Sequence, residues 1–120
     1  MTEPEFMCRQ HLLGEWRELF TFVGTLKKGK DISGYIENNL FEPKSLFLRY
    51  LVLKHEMTNR GYKVTKTLNY RYIQKLIRKL PKSQLTYKID KDSSMKELLS
   101  RCEKCKKNYQ EYIEEKIEKI

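Results

Sequence analysis

The chain has few cysteines and no long apolar run, and each shortage argues against a class of protein. Three cysteines in 120 residues are an odd number, which does not suit a disulfide framework and is typical of a reducing compartment. No stretch of 18 apolar residues is present, so we expect no membrane-spanning helix. The first residues lack the basic and apolar regions of a secretory signal. We therefore expect a cytoplasmic, nucleoid-associated protein or a nuclear one.

The motifs of several common enzyme classes are also missing. The sequence has no Walker loop, no glycine-rich dinucleotide fingerprint, no Gly-x-Ser-x-Gly elbow and no His-Glu-x-x-His helix. Cys102-x-x-Cys105 has the spacing of half a zinc site. The other half needs two more ligands, and the remaining candidates are Cys8, His11 and His55. We interpret His55 as structural or exposed and the pair as reduced cysteines on a charged helix, so we expect no metal and no cofactor.

The residues that are present predict one helical domain. A chain that is 39% hydrophobic and 12% aromatic is too apolar to be disordered despite its charge. Apolar spacing, with Gly29 and Gly61 as helix stops and a Ser94 capping box, predicts helices over about 6–28, 43–57, 70–80 and 94–120. Residues 31–39 are predicted to be a connector with at most a short helical turn, and 81–90 a loop or isolated strand. The predicted fold is all-α, a compact single-domain bundle of about four helices spanning 1–120.

The first predicted helix carries polar side chains within an apolar pattern. His11, Glu15 and Glu18 fall on one helix face at i, i+4 and i+7. Arg9 and Arg17 flank that face. A carboxylate near arginines and partly sunk in a core is a candidate catalytic or anion-handling group, whereas the ordinary alternative is a solvated charged face.

The net charge of +9 lies almost entirely in the second half of the chain. Residues 1–60 hold nine Lys and Arg against eight Asp and Glu, and residues 61–120 hold sixteen against eight. Such asymmetry suggests a polyanionic partner.

The third predicted helix carries a basic stripe within this second half. Arg71, Lys75 and Arg78 recur at i, i+4 and i+7, opposite the apolar residues, and Tyr70 and Tyr72 lie at the helix start. This pattern fits phosphate binding with base stacking, and it fits equally well a solvated helix face.

The first predicted helix also contains a longer recognisable run, Gln10-His11-Leu12-Leu13-Gly14-Glu15-Trp16-Arg17-Glu18-Leu19. This run resembles the Gln-His-Leu-x-x-Glu-x-Arg-Glu-Leu segment of the pyrimidine-dimer DNA glycosylases, a family of ultraviolet-damage endonucleases. Further stretches are similar to short cellular homologues of that family: Cys8-Arg9, residues 22–29 and 34–40, Glu42-Pro43 and Arg60-Gly61-Tyr62. The resemblance covers about 4–64, and the basic helices of 66–120 lie beyond it.

The resemblance implies an enzyme that binds double-stranded DNA containing damaged bases and flips a nucleotide. Its amino-terminal α-amine attacks the deoxyribose C1′, and the resulting Schiff base allows β-elimination. One site then acts as glycosylase and abasic-site lyase. In this sequence the amine is that of Thr2 once the initiator methionine is removed, and the catalytic carboxylate is Glu18.

The resemblance also implies a DNA-contacting surface on the first helix. Arg17 is expected to hold a phosphate, with Gln10 and His11 at the DNA surface beside Arg9. The predicted DNA-binding set is completed by the basic stripe of Arg71, Lys75 and Arg78. We expect a monomer with no membrane partner. The alternative is a non-catalytic nucleic-acid-binding module of the same fold, and a weaker one is a helical protein-interaction adaptor.

Overall fold

A computed structural model describes residues 4–37 and 41–118, which form seven α-helices and two 3₁₀ turns and contain no β-strand. The helices are α1 (Arg9–Lys27), α2 (Ser33–Glu37), α3 (Leu46–Asn59), α4 (Tyr70–Ile77), α5 (Lys82–Leu85), α6 (Lys91–Arg101) and α7 (Glu103–Glu118), and the 3₁₀ turns are Pro4–Phe6 and Pro43–Ser45. The predicted all-α class is confirmed, but the predicted number of about four helices was too low. Over the described ranges, no helix combines the length and the apolar content needed to cross a membrane.

The extra helices are α2 in the predicted connector, α5 in the segment predicted to be a loop or isolated strand, and the second of the two helices into which the predicted last helix is divided. The Asp90 side chain accepts the Ser93 N–H at 3.0 Å and caps α6, so the prediction that this helix begins at a Ser94 capping box was wrong. Cys102 is in an extended conformation (φ −123°, ψ 109°) and divides the predicted last helix into α6 and α7. Pro43 opens a 3₁₀ turn rather than α3 itself.

Two predicted helix stops are confirmed. Gly29 and Gly61 have φ of 67° and 82°, the left-handed region in which a residue without Cβ is favoured. Each follows a long helix, α1 or α3, and lets the chain reverse after it.

Helices α1, α3 and α4 surround the main core. The rings of Trp16 and Tyr50 stack with centroids 5.6 Å apart, and those of Phe22 and Phe41 stack at 5.1 Å. The buried residues of α1 follow helical spacing and comprise Leu12, Trp16, Leu19, Phe22, Val23 and Leu26. The apolar stripe of α1 therefore faces α3 and α4, as its periodicity indicates.

A buried ion pair joins α1 to α3. Arg49 donates from Nε and Nη2 to the two carboxylate oxygens of Glu15, with Nη2 and Oε1 2.7 Å apart. The two side chains are 9% and 14% exposed. Because two parallel N–H···O bonds require a planar arrangement, the pair fixes how α1 is rotated against α3.

A second arginine holds the chain that leads into α1. Arg60 follows α3, and its Nη2 donates to the carbonyl oxygens of Pro4 and Met7 at 2.9 and 2.7 Å. Its Nε donates to Glu56 Oε1 at 2.9 Å, which orients the guanidinium. The amino-terminal 3₁₀ turn is thereby fixed to the end of α3.

Helix α7 covers the same turn from the other side. The Phe6 ring packs against Tyr109 and Tyr112, with ring centroids 5.1 and 5.6 Å apart. The two ends of the described chain are therefore neighbours in the fold.

Arg49→Met should destabilise the protein strongly because it leaves the Glu15 carboxylate buried without its partner. We expect the free energy of unfolding to fall by about 3 kcal/mol or more, as when one member of a buried pair is removed. Urea denaturation followed by circular dichroism measures this loss.

Arg101→Met is the matched control, since Arg101 pairs with Glu97 at 3.3 Å on an exposed surface where both are 64% exposed. Its effect should stay within about 1 kcal/mol. The double variant Glu15→Gln/Arg49→Met should recover part of the stability lost in Arg49→Met. An equal loss in the single and double variants would show that packing rather than charge is responsible.

Candidate active site

The first half of α1 and the start of α7 border an open groove of about 460 Å³. Its lining combines cationic, amide and apolar side chains: Arg9, Gln10, Leu13, Trp16, Arg17 and Lys104. The cations can bind phosphate oxygens, and the apolar residues can receive a sugar or a base. The groove therefore has the chemistry of a nucleotide-binding surface.

Three residues predicted from the sequence to bind DNA come together in this groove, namely Arg9, Gln10 and Arg17. All three are exposed. The Arg9 guanidinium lies 5.2 Å from the centroid of the Tyr62 ring, an arrangement that favours one orientation of the arginine. Nothing in the sequence indicates that Lys104 joins these residues, because only the fold brings α7 beside α1.

The structure separates the two candidate carboxylates of α1. Glu15 is engaged by Arg49 in the core, whereas Glu18 is exposed next to Arg17. Gly14 lies one turn before Glu18 on the same face, and a Cβ built on it would meet no atom within 4 Å. Glu18 is therefore accessible and follows the groove-lining Arg17 in sequence, but it does not itself line the groove. Thr2, the predicted source of the nucleophilic amine, lies outside the described residues.

His11 was predicted at the DNA surface, but its half-buried ring faces a cluster of thiols and does not line the groove. Its Nδ1 is 3.0 Å from Cys8 Sγ and 3.8 Å from Cys105 Sγ. Cys8 Sγ is also 3.7 Å from Cys102 Sγ. We call these four residues the thiol cluster.

The cysteines of the thiol cluster differ in environment. Cys102 lies at the break between α6 and α7, and Cys105 is buried, so they do not lie together on one charged helix as predicted. Burial raises the pKa of the Cys105 thiol to about 12, with a smaller opposing effect from the Cys8 N–H, which donates to its sulfur. The pKa of Cys102 is lowered, mainly by a hydrogen bond from the Cys105 backbone.

Of the three further ligand candidates in the sequence, the fold brings two to Cys102 and Cys105 and leaves His55 apart. That pair is Cys8 and His11. The available signal was the spacing itself, since Cys8-x-x-His11 repeats the three-residue step of Cys102-x-x-Cys105.

The basic stripe of α4 has the predicted exposure. Arg71, Lys75 and Arg78 are exposed, while the apolar side of the helix is buried. The start of α4 lies near the carboxyl end of α1, where Lys27 Nζ is 5.4 Å from the Tyr72 ring centroid. The cationic residues predicted to bind DNA thus lie in two regions. One is the groove near the start of α1, and the other is the stripe on α4. Binding of DNA by the stripe stays a prediction.

Comparison with known families adds an independent finding. The family model described as pyrimidine dimer DNA glycosylase matches residues 1–70, more than half of the chain. The comparisons with curated proteins and with solved structures found no match to the chain. The matched region contains α1, α2 and α3 and extends on both sides of the resemblance seen in the sequence, whereas Lys104 lies outside it.

Arg17→Gln should weaken binding to duplex DNA and reduce its salt dependence. If Arg17 contacts one phosphate, the slope of log K against log salt concentration should become shallower by about 0.9. Fluorescence anisotropy of a labelled duplex over a range of KCl concentrations measures both effects.

Lys88→Gln is the matched control because Lys88 is exposed between α5 and α6 and carries the same charge as Arg17. Its slope should stay close to that of the unmodified protein. Equal changes in the two variants would mean that overall charge, and not the groove, determines binding.

Proposed function

The chain belongs to the pyrimidine dimer DNA glycosylase family, and on that premise we propose that it excises pyrimidine dimers from duplex DNA and cleaves the backbone at the resulting abasic site. The observation that carries the proposal is the position of Glu18. This carboxylate is exposed beside Arg17, on the helix that lines a cationic groove. Cations that hold phosphates next to a free carboxylate suit chemistry on a deoxyribose.

The proposed nucleophile is the α-amine of Thr2. An α-amine has a reference pKa of about 7.7 to 8.0, so an appreciable neutral fraction exists near neutral pH without deep burial. The amine attacks C1′ of the damaged nucleotide as the glycosidic bond to the base breaks. The C1′–O4′ bond then breaks, O4′ takes up a proton as the nitrogen loses one, and the opened sugar is left as a Schiff base. The resulting Schiff base acidifies C2′, and loss of that proton expels the 3′ phosphate by β-elimination.

The fixed amino-terminal turn supports this use of the amine. Arg60 holds the Pro4 carbonyl at 2.9 Å, and Glu3 alone separates Pro4 from Thr2. The backbone from the Thr2 amine to the Pro4 carbonyl crosses three residues, which span at most about 11 Å. The amine is therefore tethered near a rigid anchor, which reduces the entropy lost in reaching the sugar.

We assign the remaining roles by position. Glu18 stabilises the positive charge that develops on the sugar and moves protons during imine formation. Arg17 holds a phosphate, and Arg9 and Gln10 contact the neighbouring backbone. The α4 stripe adds sequence-independent affinity, which suits an enzyme that scans DNA for a weakly stacked, damaged step.

Borohydride trapping on a duplex with an abasic site tests the proposal directly. Reduction of the Schiff base should give a covalent adduct, and peptide mass spectrometry should map it to the first residue of the mature chain. Intact duplex binding without an adduct would contradict the proposal and support the non-catalytic nucleic-acid-binding module.

Glu18→Gln should lower the rate of strand cleavage by about 10² to 10⁴-fold, the range for loss of a proton-transferring group. Its affinity for duplex DNA should change little, because the substitution keeps the shape of an exposed side chain. Glu114→Gln on α7 is the control, since Glu114 is also exposed. Cleavage by Glu18→Gln at the rate of Glu114→Gln would exclude Glu18 as the catalytic carboxylate.

A further inference from the structure

The thiol cluster forms where the start of α1 meets the start of α7. Cys8 immediately precedes α1, and its carbonyl accepts the first hydrogen bond of that helix at 2.9 Å. Cys102 immediately precedes α7, and its carbonyl accepts the corresponding bond at 3.0 Å. The second member of each pair, His11 or Cys105, lies in the first helical turn. Each helix start therefore presents two ligand atoms to the other.

The distances within the cluster suit one tetrahedral ion. The four potential ligand atoms all lie within 4.8 Å of one another. Zinc bonds of about 2.3 Å to sulfur and 2.0 Å to nitrogen put tetrahedral ligand atoms about 3.5 to 3.8 Å apart. The Cys8–Cys102 sulfur separation is 3.7 Å and the Cys105–His11 separation is 3.8 Å. The Cys8–His11 separation of 3.0 Å must widen to admit the ion, and any separation close to the 4.8 Å limit must shorten.

Several features of the cluster suit binding of a metal ion, although burial alone favours the neutral thiol at Cys105. All three cysteines are free rather than disulfide-bonded. The Cys8 backbone N–H donates to Cys105 Sγ at 3.0 Å, a hydrogen bond that stabilises negative charge on the sulfur and is typical of partners around a metal site. The positive amino-terminal ends of the α1 and α7 dipoles also stabilise negative charge on the sulfur atoms.

We propose that Cys8, His11, Cys102 and Cys105 bind one zinc ion. Three thiolates and one imidazole in a tetrahedron are the ligand set of a structural zinc site, whereas magnesium, calcium and manganese prefer oxygen ligands. With four protein ligands the site has no open position, so its role is to join the amino-terminal segment to the α6–α7 junction. The proposal does not depend on the proposed function.

The zinc site also braces the groove. Arg9 and Gln10 are the residues between Cys8 and His11 in the sequence, and Lys104 lies between Cys102 and Cys105. All three of these intervening residues line the groove. An ion that holds the two short segments together would therefore fix half of the groove lining.

Cobalt substitution tests the site in the full-length chain. The reduced protein is stripped with a chelator, its fold is checked by circular dichroism, and Co²⁺ is added stepwise. We expect saturation at one ion per chain, the strong visible bands of tetrahedral Co²⁺ and near-ultraviolet thiolate charge transfer, all reversed by Zn²⁺. A folded chain that gives only the weak spectrum of octahedral Co²⁺, or no saturation at one ion, would overturn the proposal.

The two histidines provide a matched pair of variants. His55 is exposed on α3 and contacts Asn59, so His55→Asn should bind Co²⁺ as the unmodified protein does. His11→Asn should shift the Co²⁺ spectrum and weaken zinc binding at least about tenfold. Identical spectra and affinities in both variants would contradict a role for His11. These readouts do not involve catalysis, so they are independent of the glycosylase tests.

Duplex binding tests the bracing of the groove. The zinc-loaded protein should bind a duplex more tightly than the stripped protein at the same salt concentration, because Arg9 and Lys104 are then held in place. Equal affinities of the two forms would overturn the bracing role.

Discussion

The buried pair of Glu15 and Arg49 is the interaction on which the arrangement of the helices depends. Neither charge is tolerated alone in a core, and the bidentate geometry accepts one rotation of α1 against α3. That rotation buries the apolar stripe of α1 and leaves Arg17 and Glu18 on the outside. The exposed carboxylate and its arginine neighbour are thus a consequence of how the buried pair orients the helix.

The second constraint acts on the chain before α1, which three contacts hold in place. Arg60 binds its carbonyl oxygens, Phe6 packs on α7, and Cys8 joins the thiol cluster. These contacts come from parts of the chain that are far apart in sequence, so the amino-terminal turn is fixed only when the whole domain is folded. The proposed use of the terminal amine would benefit from this anchor, since a freely moving amine reacts slowly with a bound sugar.

The sequence predicts well those features that depend on neighbouring residues. The spacing of α1 and α4 and the glycine stops at Gly29 and Gly61 were confirmed because local periodicity and backbone freedom determine them. The break at Cys102 was not predicted, since α6 and α7 together continue one apolar pattern and only packing reveals the interruption. Lys104 and the pairing of Cys8 with Cys102 are long-range features: the repeated three-residue spacing identifies the cysteines as candidates, but only the fold brings the two segments together.

The three polar residues predicted to share one face of α1 have different roles, and the reason is geometric. His11, Glu15 and Glu18 share a face, but the helix contacts different neighbours along its length: the thiol cluster at its start, α3 in its middle, and solvent at Glu18. With 19 residues, α1 is about 28 Å long, roughly eight base pairs of duplex at 3.4 Å each. A duplex lying along α1 would meet the groove at one end and the α4 stripe at the other. Under the proposed function, such an arrangement would let the stripe supply general affinity at a distance from the groove.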